Sequence, residues 1–294
     1  MKAIAIKAFE AQTIEDKLGF MNALSRMLDA YRTGSHGEVV VRQSQTLDDG
    51  LDPCLPPWGS VARFPSYPQG LRLVSLQQVG RRRLGSQRGR AELLHAIAHI
   101  EWHAIHLALD AALRFESMPS DFFLDWLGVA VEEASHFSML NQHLQSHYQV
   151  SYGDFPAHAG MWDMARQTEF DVVARMALVP RVLEARGLDV TPAMILALRE
   201  QGDSKGADCL QIILDEEVSH VGLGTYWYRQ ACLMQGLDPE THFLDLLKTS
   251  RVARVRGVLN IRARQQAGFS QFELDQLALL ASPGEGKKST GVIN

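Results

Sequence analysis

Two near-copies constrain this chain more than any other feature. Residues 131–136 read Val-Glu-Glu-Ala-Ser-His and residues 215–220 read Asp-Glu-Glu-Val-Ser-His. Each holds Glu-x-x-His within a long run of helical apolar periodicity, and residues three apart share one face of a helix. Glu133 with His136, and Glu217 with His220, can therefore each aim two ligand groups at one point. A lone Glu-x-x-His is weak evidence, because both residues are common on solvated helices. Two copies, each written Glu-Glu-x-Ser-His, are much harder to obtain by chance. Each copy also has a carboxylate at a matched distance upstream: Glu101 precedes Glu133 by 32 residues and Glu184 precedes Glu217 by 33. That spacing predicts two helix pairs, each folded so that a glutamate faces its Glu-x-x-His.

The surrounding sequence supplies the helices. Apolar periodicity predicts long helices over 87–115, 121–148, 160–186 and 205–235, the third ended by Gly187 and Pro192 with a short helix at 192–201. An earlier helix at 14–33 has Thr13 as its cap and Asp16 three residues on. Residues 35–85 change character. Val39, Val40 and Val41 suggest a short strand, and Pro53, Pro56, Pro57, Pro65 and Pro68 forbid long helices. Scattered Leu, Val, Phe and Trp make this an irregular wrap on the main domain, not a flexible linker. Further helices are expected at 240–256 and 270–281, and disorder from Pro283 onward. The expected architecture is all-α: an N-terminal helix and wrap at 1–85, a four-helix core at 86–236, C-terminal helices at 237–282 and a tail at 283–294.

Composition narrows the setting. A net charge of −5 does not favour nucleic acid or anionic membrane as a partner of the whole chain. Cys54, Cys209 and Cys232 are far apart and form no Cys-x-x-Cys, which argues against a disulfide framework or a thiolate zinc site and fits a reducing compartment. Met1 to Glu10 carries Lys2, Lys7 and Glu10 without a long apolar core, so it does not read as a signal peptide. No stretch of about 18 apolar residues suggests a membrane span. The expected location is the cytoplasm.

Carboxylate and imidazole ligands without thiolate suit iron or manganese. Four carboxylates carry four negative charges, which two divalent ions neutralise; buried without metal, they would repel and take up protons. A Glu from each of two helices plus Glu-x-x-His from each of two others is the ligand pattern of ferritin-like di-iron and di-manganese proteins. On that pattern the metal ligands are Glu101, Glu133, His136, Glu184, Glu217 and His220. Glu133 and Glu217 bridge, Glu101 and Glu184 are terminal, and each histidine binds through one nitrogen. The other nitrogen needs an acceptor. Glu132 and Glu216 either reach across to the opposite histidine or are plain surface charges.

Other residues weigh less. Glu169 is 48 residues from Glu217, which breaks the symmetry, and it would stand roughly 22 Å from Glu184 along one helix. His95, His99, His103 and His106 crowd one helix, and helical geometry turns His99 and His103 away from Glu101. Arg81, Arg82, Arg83, Arg88 and Arg90 read either as a phosphate or tRNA clamp or as a solvated loop with ion pairs, and the negative net charge favours the second. Asp154 and His158 fall in a loop able to cover the site. Tyr226, Trp227 and Tyr228 follow His220 by about two turns and read as core packing, or as carriers of oxidising equivalents.

The chain resembles a bacterial ferritin-like family catalogued as a domain of unknown function, number 455. The resemblance rests on residues 94–101 (Leu-His-Ala-Ile-Ala-His-Ile-Glu), 129–137 (Val-Ala-Val-Glu-Glu-Ala-Ser-His-Phe) and 152–158 (Tyr-Gly-Asp-Phe-Pro-Ala-His). It continues in residues 178–190, which surround Glu184, and in 215–221, covering roughly 70–270. It implies a ferritin-like di-iron carboxylate fold and all six ligand positions. The nearest functional analogy is the ferritin-like tRNA hydroxylase that oxidises an isopentenyl-adenosine side chain.

Together these readings predict an oxygen-dependent oxidase or hydroxylase. It would use two iron ions, or a manganese–iron pair, and an electron-donor protein, and would act on a small molecule or a modified tRNA base. A ferroxidase or iron store is an alternative, although storage normally needs a shell built from short bundles. A tRNA- or partner-binding module with a structural metal is another.

Overall fold

The computed structural model describes residues 1–34, 58, 63–78, 82–250, 255 and 257–281. The expected strand at Val39–Val41, Pro53, Pro56, Pro57, Cys54, Arg81 and the tail from Pro283 lie outside them. Within the described residues the regular structure is helical, with one isolated bridge pairing Leu73 and Ala157. No helix among them is long and apolar enough to cross a membrane.

The chain opens with a helix that the sequence reading did not anticipate, α1 (Lys2–Glu10). Nine residues are too few to form a stable helix alone. Ala5, Ile6, Ala8 and Phe9 are buried and supply the tertiary packing that holds it. The next helix, α2 (Ile14–Arg32), starts as expected: Thr13 Oγ1 accepts from the Asp16 amide at 3.0 Å.

Two long helices follow, α3 (Gln87–Arg114) and α4 (Ser120–His143), packed against each other. Ser86 caps α3 by accepting from the Gly89 amide at 3.0 Å. Glycine is required there, because a Cβ would stand 2.0 Å from the Arg83 carbonyl oxygen. A π-helical turn, Leu144–Tyr148, extends α4. The longest helix, α8 (Ser204–Gln235), packs on α4. Asp203 caps its start and Gly236 closes it at φ 68°, in the left-handed region that glycine tolerates.

The third expected helix is divided, which corrects the span 160–186. Its first part, α5 (Gly160–Gln167), stops at a turn over residues 168–170. Helix α6 (Val172–Leu178) restarts at Asp171, whose carboxylate accepts from the amides of Val173 and Ala174 at 2.8 and 3.1 Å. Reading Asp171 as mid-helix overlooked a capping residue. A π-helical turn, Val179–Glu184, comes next and contains Pro180, which has no amide hydrogen to give to the preceding turn. Pro180 fits there because α8 presents Gly224 beneath it; a Cβ on Gly224 would lie 2.3 Å from Pro180 Cβ.

Helix α7 (Ala185–Glu200) then continues through Gly187 and Pro192, where the sequence predicts a stop and a separate short helix. Pro192 deprives the Leu188 carbonyl of its helical donor. Asn260 Nδ2 replaces that donor at 3.1 Å. A distant side chain thus makes an interior proline tolerable, and nothing local to Pro192 signals it.

The C-terminal part holds α9 (Pro239–Thr249), α10 (Ile261–Gln266) and α11 (Gln271–Ala281). The expected helix 240–256 ends at Thr249 because Ser250 is extended, and α10 was not anticipated. These pieces clamp the segment around Glu184. Arg264 pairs with Asp189 at 2.7 Å, and fully buried Arg181 pairs with Glu273 at 2.5 Å. Arg181 also faces the rings of Phe243, Tyr228 and Phe269 at 4.0 to 4.6 Å.

Candidate metal centre

Helices α3, α4 and α8 and the π turn before α7 each send acidic side chains to one buried place. Glu101 comes from mid-α3, Glu133 and His136 from α4, and Glu217 and His220 from α8, while Glu184 ends the π turn. All but Glu217 are buried, and the Glu217 side chain is 12% exposed.

The ligand atoms form two groups. Glu101, Glu133 and His136 can each place one atom within 4.8 Å of the others, and so can Glu133, Glu217 and His220. Glu133 is common to both. His136 Nδ1 lies 3.2 Å from carboxylate oxygens of Glu101 and Glu133. His220 Nδ1 lies 2.9 Å from Glu133 Oε1 and 3.2 Å from Glu217 Oε2. These are hydrogen-bond distances, and atoms around an octahedral ion at ~2.1 Å are also about 3 Å apart along each edge, so each group could hold an ion.

Both Nδ1 atoms face the cluster, and both Nε2 atoms face outward to a carboxylate of the opposite helix. His136 Nε2 meets Glu216 Oε2 at 2.7 Å, and His220 Nε2 meets Glu132 Oε2 at 2.7 Å. The crossing contacts thus exist, and the side chains of Glu132 and Glu216 are also half exposed. A carboxylate that accepts from one ring nitrogen fixes the ring and leaves the other nitrogen free to bind metal.

Glu184 belongs to neither group of three. Its Oε2 is buried and has no hydrogen-bond partner among the described residues. Burial, then the charges of Glu217 and Glu133, hold its carboxyl well above the usual range. Burial and Glu133 likewise raise Glu101 and Glu217. Burial works against charge on Glu133 and on both histidines, yet their mutual contacts prevail. Glu133 is held below the usual range, His136 is pushed up to about 11, and His220 is raised. Without metal, the site therefore favours protons on Glu101, Glu184, Glu217 and both imidazoles more than water does. An orphaned buried carboxylate oxygen, two inward imidazole nitrogens and no thiolate fit a hard or borderline divalent metal.

A cavity of about 320 Å³ adjoins the acids. Glu101, Glu133, Glu184 and Glu217 form one side. Ile97 and Ala104 of α3, Leu183 of the π turn, Met194 of α7, and Leu210 and Ile213 of α8 supply much of the rest. Ile97, Glu101 and Ala104 share a face of α3, so an apolar stripe interrupted by one acid was the legible signal for this wall. The sequence reading did not extract it, and it passed over Arg186, which also lines the cavity.

The remaining expected residues lie elsewhere. His99 bonds to Tyr152 Oη at 2.7 Å and to the His158 carbonyl at 3.1 Å, and His103 to Tyr67 Oη at 3.1 Å, on a face of α3 turned from the acids. His95 accepts from the Gly153 amide, and His106 meets Lys17. Glu169 sits in the turn between α5 and α6. Arg88 pairs with Glu92 at 2.8 Å, and Arg90 donates to the Leu84 carbonyl. Asp154 accepts from the Ser151 amide, whereas His158 does line the cavity. Trp227 and Tyr228 are buried and donate to Asp125 and to the Pro239 carbonyl; Tyr226 is exposed.

Comparison with known proteins adds relatives without an assigned activity. Residues 13–275 match the family described as "Protein of unknown function (DUF455)". A Haemophilus influenzae protein described as uncharacterized is 46% identical over 230 residues, covering 76% of this chain and 78% of that protein. No solved structure matches the chain.

Proposed function

We infer a function for this chain from its site, since it belongs to the DUF455 family, whose description names no activity. The reading is a ferritin-like di-iron carboxylate protein, with residues 86–236 as its metal-binding unit, that oxidises or hydroxylates an organic substrate with oxygen. Glu101, Glu133, His136, Glu184, Glu217 and His220 would hold two iron ions.

The observation that carries this reading is the apolar cavity set directly against the four glutamates. A route for iron ions would be lined with ligands; these walls are largely aliphatic and suit an organic molecule. That same feature disfavours the ferroxidase alternative. When bound, two reduced iron ions would supply the oxygen-activating chemistry. The chain's own share is narrower. Glu132 and Glu216 orient the imidazoles, the buried acids neutralise the ions, and the aliphatic walls exclude water from the reacting end. An electron-donor protein completes the proposed cycle.

Oxygen uptake tests the reading. Protein loaded anaerobically with ferrous iron and then exposed to oxygen should consume it, and Glu133→Ala should abolish that uptake. Wild-type protein that retains iron but consumes no oxygen would contradict it.

A further inference from the structure

Apart from the four acids, the cavity walls carry little charge. Among the described residues that line it, Arg186 is the one permanent cation. Its backbone stands two residues past Glu184, yet it is exposed where Glu184 is buried. No hydrogen bond or ion pair engages its guanidinium among the described residues. The cavity therefore runs from a buried acidic end to a solvent-facing end marked by an uncommitted guanidinium. Ile100 lines it too and is 45% exposed, as expected of a rim residue. His158, the other basic group in the lining, is held below the usual imidazole range by burial and by Arg82.

We propose that this cavity takes an amphipathic anion, with a carboxylate or phosphate head on Arg186 and an apolar tail of about ten non-hydrogen atoms pointing at the glutamates. This rests on the reading of the cavity as a substrate site. The size follows from volume: at ~30 Å³ for each water-sized unit, 320 Å³ holds about ten. The orientation follows from charge. With two divalent ions bound, the four carboxylates at the inner end carry no net charge to attract or repel an anion, whereas a guanidinium binds carboxylate or phosphate through two parallel hydrogen bonds. The tail's far end, not its head, then meets the acids.

Calorimetric titration of the anaerobic, ferrous-loaded chain tests this, with decanoate, decyl phosphate and decan-1-ol as probes. Decanoate or decyl phosphate should bind, and the tighter of the two names the head group. Arg186→Leu should weaken that binding by about tenfold or more and leave decan-1-ol unchanged. Val190→Trp, which fills the cavity, should abolish both. Anion binding that is absent, or that survives either substitution unchanged, overturns the proposal. Iron content and oxygen uptake measured on the same samples separate the two readings. A chain that holds iron and consumes oxygen but ignores Arg186 loses only this inference; one that binds decanoate through Arg186 but takes no iron loses only the oxidase.

Discussion

Glu132 on α4 and His220 on α8 meet at 2.7 Å across the helix interface, and Glu216 returns the same contact to His136. Each Glu-Glu-x-Ser-His copy therefore supplies a glutamate and an imidazole to the buried cluster and a contact to the other copy's imidazole. Truncating both supports tests this arrangement. Glu132→Ala with Glu216→Ala should lower ferrous affinity roughly 10–100-fold while leaving helical circular dichroism unchanged, because both side chains are half exposed. Affinity equal to wild type in a chelator competition would assign them to the surface.

Metal binding should release protons. Without metal, burial and the neighbouring carboxylates raise Glu101, Glu184 and Glu217 above the usual carboxylate range, and the glutamates around it hold His136 at about 11, so protons compete with metal for these groups. Ligands must shed them. Acid favours the metal-free form, so affinity rises with pH, about tenfold per unit for each proton displaced. Titration in buffers of different ionisation enthalpy counts those protons. A value of zero would mean that the acids and imidazoles do not coordinate.

Much of the site was legible because its chemistry is periodic. Matched spacings of 32 and 33 residues and a doubled Glu-x-x-His need no tertiary knowledge to read. The π turn before Glu184, the passage of α7 through Pro192 and the burial of α1 were not legible. Each depends on a partner far along the chain: Gly224 under Pro180, Asn260 on Leu188, and the α2 and α3 surfaces against Phe9. The α3 wall of the cavity was legible as the Ile97-Glu101-Ala104 stripe, but the cavity as a whole was not, since its other walls come from separate helices.

Lys17 has no exposed surface and donates to the carbonyls of Ala8 and Phe9, with its Nζ 3.1 Å from His106 Nε2. Burial lowers its pKa to about 7 from 10.5. Between those values the unfolded chain binds the proton that the folded chain has lost, so stability increases with pH across this window. The gain should approach about 1.4 kcal/mol per pH unit. Denaturant unfolding at pH 7 and 9 should show it in wild type, and Lys17→Met should remove it. An unchanged slope in Lys17→Met would place the effect on other groups.

Gly224→Ala should push Pro180 and the π turn away from α8, because the added carbon would lie 2.3 Å from Pro180 Cβ. Overpacking of this kind costs about 1–3 kcal/mol. Since that turn delivers Glu184, iron affinity should fall alongside stability. A variant as stable as wild type with unaltered iron binding would show that the contact relaxes without moving Glu184.

The metal-to-chain ratio after anaerobic ferrous loading and desalting bears most directly on the whole account. Two groups of three that share Glu133, with Glu184 on the same cavity wall, predict two iron ions per chain, and at most one in Glu133→Ala. A wild-type chain that retains no iron, or a Glu133→Ala chain that retains as much as wild type, would contradict it.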